Sequence, residues 1–126
     1  KIDHGLVILL GVQKDDSEID ADFLVNKISG LRIFADENDK MNLSIKDITG
    51  SALVISQFTL CGDTKKGRRP SFINAAPPEY GNRLYEYFLS ELGKTGVSVQ
   101  SGEFGAMMDV ELVNDGPVTF VLNSKD

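Results

Sequence analysis

The sequence predicts an α+β fold with a mainly antiparallel sheet or barrel, and three observations carry that expectation. Strand-like apolar runs outnumber helical stripes by roughly three to one. Two stretches place apolar residues along one helical face, the first at the spacing i, i+3, i+4 and i+7. The last two strand-like runs are joined by Asn114-Asp115-Gly116-Pro117, four turn-forming residues suited to a hairpin. A length of 126 residues lies near the modal domain size, so residues 1–126 are expected to form one domain.

The elements follow in order. Residues 6–12 form a continuous apolar run, which predicts a strand buried on both faces. Ser17 and Asp20 make a capping box with the shorter acid. Ala21, Leu24, Val25 and Ile28 then supply one helical face, and Gly30 stands where a helix-terminating glycine is expected. Leu31-Arg32-Ile33-Phe34 suggests a short strand. Residues 52–60 predict a second strong strand, with Gln57 and Thr59 on one face and Ser56, Phe58 and Leu60 on the other. A second helix is expected from Pro77-Pro78, with Leu84, Tyr85, Phe88 and Leu92 as its buried stripe and Gly93 as its stop. Residues 97–100, 108–113 and 118–122 are the remaining strands.

Composition narrows the chemistry. One cysteine, Cys61, cannot form an internal disulfide, which fits a reducing compartment. A single His and a single Cys exclude Cys/His zinc-finger sites and leave His4 as the only histidine for a triad. No apolar run approaches the ~20 residues that span a bilayer. The formal net charge is −6, which argues against a protein coated in positive charge to grip nucleic acid. Against that background, Lys65, Lys66, Arg68 and Arg69 form a local basic loop around Gly67, which permits close backbone approach to a phosphate. A solvated loop is the plain alternative.

Thr59 is the leading side chain for chemistry, because Ser56 and Gln57 accompany it at the end of a buried strand. A hydroxyl needs a base to become a nucleophile, and the sequence offers no obvious histidine for it. Threonine is also a favoured strand residue, so packing alone would explain it. Cys61 with His4 is the only possible thiol–imidazole pair, though a lone cysteine is more often an inert small hydrophobe. Gly116-Pro117 reads first as a plain hairpin turn. Phe104-Gly105-Ala106-Met107-Met108 reads as core or as the lining of a pocket that a ligand approaches closely. No carboxylate spacing suggests a metal site, and the glycines form neither a Walker A loop nor a dinucleotide fingerprint.

These residues carry a resemblance. Ser56-Gln57-Phe58-Thr59-Leu60, followed by Lys66-Gly67-Arg68-Arg69-Pro70-Ser71-Phe72, is similar to the first signature of the D-aminoacyl-tRNA deacylases. Asn114-Asp115-Gly116-Pro117-Val118-Thr119 resembles their second. Leu31-Arg32-Ile33-Phe34, Lys40-Met41-Asn42-Leu43-Ser44 and Phe104-Gly105-Ala106 with Met108 also match, so the similarity runs over nearly the entire chain. Two departures stand out. The family usually begins earlier, with strands that would precede Lys1, so the sequence is expected to lack its N-terminal strands. Met107 occupies a position where the family often has Asp.

The resemblance implies a cytoplasmic homodimer with a barrel-like sheet and two flanking helices, needing no cofactor or metal. It would hydrolyse the ester between a D-amino acid and the terminal adenosine of tRNA. Gly116 and Pro117, through a cis bond, would enter the partner's pocket, their backbone carbonyls excluding an L side chain. Ser56, Gln57, Phe58 and Thr59 would surround the ester and adenosine. Phe104, Gly105, Ala106 and Met108 would line the pocket, and Lys65, Lys66, Arg68 and Arg69 would meet tRNA phosphates. The family offers two views of the chemistry, with either Thr59 or the 2′-hydroxyl of the tRNA as the key group; the missing base favours the second. Achiral glycine would escape the filter, making glycyl-tRNA a secondary substrate. Two readings compete: a non-catalytic tRNA-binding module using the basic loop, with only Phe72 nearby to stack on bases, and a dimeric scaffold shaped by Gly116-Pro117.

Overall fold

In a computed structural model that describes residues 1–126, β1 (Gly5–Leu10) runs parallel to β4 (Ser51–Ser56), with Gly5 facing Ser51 and Leu10 facing Ser56. The approach is close at its start: a Cβ on Gly5 would lie 1.8 Å from the Ser51 carbonyl oxygen, so only glycine fits. β5 (Ser98–Ser101) runs parallel along the other side of β4, giving the order β1-β4-β5. Parallel neighbours need long crossovers, and each crossover here carries a helix. α1 (Glu18–Gly30) lies between β1 and β4, and α2 (Pro78–Lys94) between β4 and β5. A small antiparallel pair, β2 (Phe34–Ala35) and β3 (Met41–Leu43), completes the first crossover.

The α+β class and the two helices stand, but the mainly antiparallel barrel does not. The main sheet is a three-stranded, open and parallel one, and only β2–β3 is antiparallel. An apolar run reports burial, not strand direction, whereas strand–helix–strand order does.

Helix boundaries follow local chemistry. The Asp20 carboxylate accepts the Ser17 amide N–H at 2.8 Å and starts α1 as the capping box predicts. Gly30 is the last helical residue rather than the terminator beyond it, and Leu31 is the cap. α2 likewise passes Gly93 and ends at Lys94, and it is Gly96, at φ 98°, that adopts the left-handed conformation beyond the helix. Tyr85, Phe88 and Leu92 of α2 are fully buried against Val54 of β4 and Ile45, with Val25 and Ile28 of α1 in the same core.

The helices cover one face of the sheet, where Leu6, Ile8, Ala52, Val54 and Val99 point. Ile55 is buried on the opposite face, but Leu9 is 47% exposed, so β1 is open on the face the sequence predicted to be buried. Residues 108–113 and 118–122 form no strands, and of residues 31–34 only Phe34 enters one. No helix is long and apolar enough to cross a membrane.

Candidate active site

The site is built at the C-terminal end of β4. The Gln57 N–H donates to the Leu10 carbonyl at 2.8 Å, one step beyond the β1–β4 ladder. The chain then tightens into a 3₁₀ turn, Phe58–Cys61, instead of continuing as the strand predicted to Leu60. The two-residue alternation therefore stops at Ser56, and Gln57 and Thr59 meet across the turn: the Gln57 side-chain amide donates to Thr59 Oγ1 at 2.5 Å. The first internal bond of the turn joins the Leu60 N–H to the Gln57 carbonyl at 3.2 Å. The N–H groups of Phe58 and Thr59 precede it and have no acceptor within the turn, as at any helix start.

The thiol–imidazole alternative fails on geometry. Cys61 is buried, its thiol directed at the Val12 carbonyl at 3.5 Å, and burial, reinforced by the Asp16 charge, pushes its pKa up. His4 lies before the opposite end of β1, where its carbonyl accepts the Ser51 N–H and its ring meets Phe34 edge-on at 5.6 Å. At about 3.3 Å per strand residue, β1 alone separates the two by roughly 17 Å. His4 is therefore no base for Thr59 either.

After the turn, Asp63 and Ser71 exchange two backbone hydrogen bonds, 2.7 and 2.9 Å, that close the basic loop at its base. The Asp63 carboxylate accepts the Lys65 amide N–H at 2.9 Å, and Gly67 turns the loop at φ 68°. All ion pairs of the chain involve Lys94 or Lys125, so Lys65, Lys66, Arg68 and Arg69 are exposed and without acidic partners. Phe72 follows the loop and packs edge-to-face on Phe58, with ring centroids 5.0 Å apart.

Residues 102–108 bring the predicted pocket lining to the same strand. The Gly102 N–H donates to the Val54 carbonyl at 3.1 Å, and the Tyr85 hydroxyl reaches the Gly102 carbonyl at 2.9 Å. Phe104 packs on Tyr85, 5.9 Å between centroids, and over Gly81. Met108 turns onto the other side: a Cβ on Gly102 would lie 2.7 Å from its sulfur and 3.1 Å from Ile55 Cδ1. Gly105, at φ 77°, and Ala106 are exposed between them, and Met107 is fully exposed.

The second motif stands apart. The predicted hairpin bends at Asp115-Gly116 but has no ladder, and the bend is held by one side chain: Asn114 Oδ1 accepts the Val118 N–H at 2.9 Å and Asn114 Nδ2 donates to Thr119 Oγ1 at 2.8 Å. Gly116 and Pro117 are exposed, and the bond between them is cis. One chain thus places Ser56, Gln57, Phe58 and Thr59 beside the base of the basic loop through the Phe58–Phe72 contact, while Phe104 and Met108 pack near β4 on opposite sides of Gly102, against Tyr85 and Ile55. Gly116 and Pro117 share no hydrogen bond with that group.

Three residues absent from the predicted set matter here: Phe72, Tyr85 and Gly102. Phe72 ends the basic motif and was legible as an aromatic next to cations. Tyr85 was legible as the one hydroxyl in a buried helical stripe, a group that must find an acceptor. Gly102 carries no signal without the fold.

The family model described as D-Tyr-tRNA(Tyr) deacylase matches residues 1–123. The chain is similar to the D-aminoacyl-tRNA deacylase of Bacillus cytotoxicus, 57% identical over 125 residues, covering 99% of this chain and 86% of that protein. It is similar to the same enzyme of Koribacter versatilis, 57% identical over 124 residues, covering 98% and 83%. Among solved structures, the c-Myc DNA unwinding element binding protein superposes with a TM-score of 0.86 at 39% identity, covering 93% of this chain and 80% of that one. A probable eukaryotic D-amino acid tRNA deacylase shares the fold, with a TM-score of 0.66 at 19% identity over 84% and 77% of the two chains. With a family model matched along nearly its whole length and relatives of this identity, the chain belongs to the D-Tyr-tRNA(Tyr) deacylase family.

Proposed function

We infer that this chain hydrolyses the ester between a D-amino acid and the terminal adenosine of tRNA, releasing the free amino acid and tRNA. The observation that carries this reading is the match of residues 1–123 to the deacylase family model, a span that includes the residues at the end of β4. An aminoacyl ester is already activated, so positioning and charge stabilisation can supply much of the acceleration. The N–H groups of Phe58 and Thr59, free within their turn, suit an oxyanion that develops on the ester carbonyl. Thr59 receives a hydrogen bond from Gln57 and faces no base, which favours the 2′-hydroxyl of the tRNA as the group that assists water. The basic loop takes phosphates of the acceptor end.

Selection of hand belongs to Gly116 and Pro117, acting in a homodimer on the partner's site. Their carbonyls repel an L side chain whatever its chemistry, which is how a filter stays strict across many substrates. The exposed apolar residues on either side of the turn, Val113 at 92% and Val121 at 94%, support burial against a second copy. Glycyl-tRNA passes such a filter and is a secondary substrate. The setting is the cytoplasm, where translation supplies the substrate.

Incubation with D-tyrosyl-tRNA and L-tyrosyl-tRNA tests the reading. Selective loss of the D ester is expected. Binding of both without turnover would instead favour a non-catalytic tRNA-binding module.

A further inference from the structure

Phe72 is an aromatic ring held in place yet left open to solvent. One edge presses on Gly62, where even a Cβ would come within 3.0 Å of the ring, and Phe58 meets it at 5.0 Å with the planes 64° apart. Phe72 nevertheless stays 38% exposed, and Phe58 58%. Exposed rings fixed beside cations are the components of a base-stacking platform, because every nucleobase offers a π-face.

The surroundings supply the rest. The Asp63–Ser71 bridge sets Phe72 one residue past the closed base of the loop that holds Arg68 and Arg69. Those guanidiniums meet no carboxylate of the chain and are free to take phosphate bidentately. On a protein of net charge −6, a polyanion is steered to this corner and away from the rest of the surface. The platform is continuous with the ester site, since Phe58 stands between Gln57 and Thr59 in the chain and against Phe72 in space.

We propose that Phe72 and the arginines of the basic loop form a seat for the nucleotide that precedes the terminal adenosine, its base stacked on the open face of Phe72 and the phosphate that joins it to that adenosine on Arg68 and Arg69. This rests on the deacylase reading and extends it from the reacting adenosine to its neighbour. The seat makes Phe72 a positioning residue: it holds the strand so that the ester stays over the Phe58–Thr59 turn.

The test compares two minimal substrates, the 3′ D-tyrosyl ester of adenosine and that of the dinucleotide CpA, by the ratio of their kcat/KM values. The wild-type protein is expected to prefer the dinucleotide ester. Phe72→Leu, which retains an apolar side chain against Gly62 but removes the π-face, is expected to lower that ratio by about tenfold, within the range for loss of one base–aromatic stack. Phe72→Tyr is expected to keep it. A wild-type protein without preference, or a ratio unchanged in Phe72→Leu, including equal loss on both esters, overturns the seat while leaving the deacylase reading in place. Hydrolysis of neither ester by the wild type would overturn the deacylase reading and the seat with it.

Discussion

The Tyr85 hydroxyl donates to the carbonyl of Gly102, 2.9 Å away, and shares its proton with the Val54 carbonyl at 3.0 Å. One buried phenol thus ties the start of the pocket-lining segment to the strand that ends in Ser56. Burial, the largest influence on this phenol, pushes its pKa up, as expected for a group kept as a neutral donor.

Tyr85→Phe is therefore expected to act on both stability and activity. The Val54 carbonyl keeps the Gly102 N–H, but the Gly102 carbonyl loses this donor. The cost is about 1 kcal/mol, read by chemical denaturation, the net worth of a hydrogen bond whose acceptor is only partly buried. Deacylation of D-tyrosyl-tRNA should fall as well, since Phe104 and Met108 depend on where Gly102 sits.

Much of this arrangement was legible in the chain. Ser17 with Asp20 starts α1 because a carboxylate three residues into a helix reaches a free N–H, a local interaction that needs no fold. The stripe Leu84, Tyr85, Phe88 and Leu92 is likewise a matter of helical period. Strand direction was not legible in the apolar pattern, which is the same whichever way β1 and β4 pair; it lay in the strand–helix–strand order of β4, α2 and β5. Nor was the 3₁₀ turn after Ser56: Phe58 and Thr59 are of types that favour strands, and tertiary structure overrides that preference. The candidate site suffered accordingly. Gln57 and Thr59 were expected to share a face through strand alternation, and they meet through a turn instead.

Asp20 makes a pH prediction. Lys125, whose ammonium donates to its carboxylate at 2.8 Å, the Ser17 amide and the Ser124 hydroxyl together hold its pKa well below the usual 3.8, at about 2. A depressed carboxylate stabilises the fold above its unfolded pKa, and that stability is lost as pH falls through the folded value. Thermal unfolding should therefore show wild type above Lys125→Met at pH 5–7, with the gap closing between about pH 4 and pH 2.

The basic loop predicts a salt dependence. Replacing Lys66, Arg68 and Arg69 together by Gln should weaken tRNA binding most at low ionic strength. The slope of log affinity against log salt should flatten by about 0.7 for each single-strand phosphate contact removed. A titration of labelled tRNA at several salt concentrations reads both quantities. Weaker binding with an unchanged slope would place the phosphates elsewhere.

The central claim is that the chain supplies shape and backbone N–H groups while the substrate supplies the reactive hydroxyl. Thr59→Ala should then cost less than about tenfold in kcat/KM. The most direct measurement is single-turnover hydrolysis of D-tyrosyl-tRNA whose terminal adenosine lacks its 2′-hydroxyl, compared with the normal ester. A fall on the order of a hundredfold is predicted, as for loss of a group assisting proton transfer. Unchanged hydrolysis of the deoxy ester, together with inactivity of Thr59→Ala on the normal one, would contradict the account and return the nucleophile to the protein.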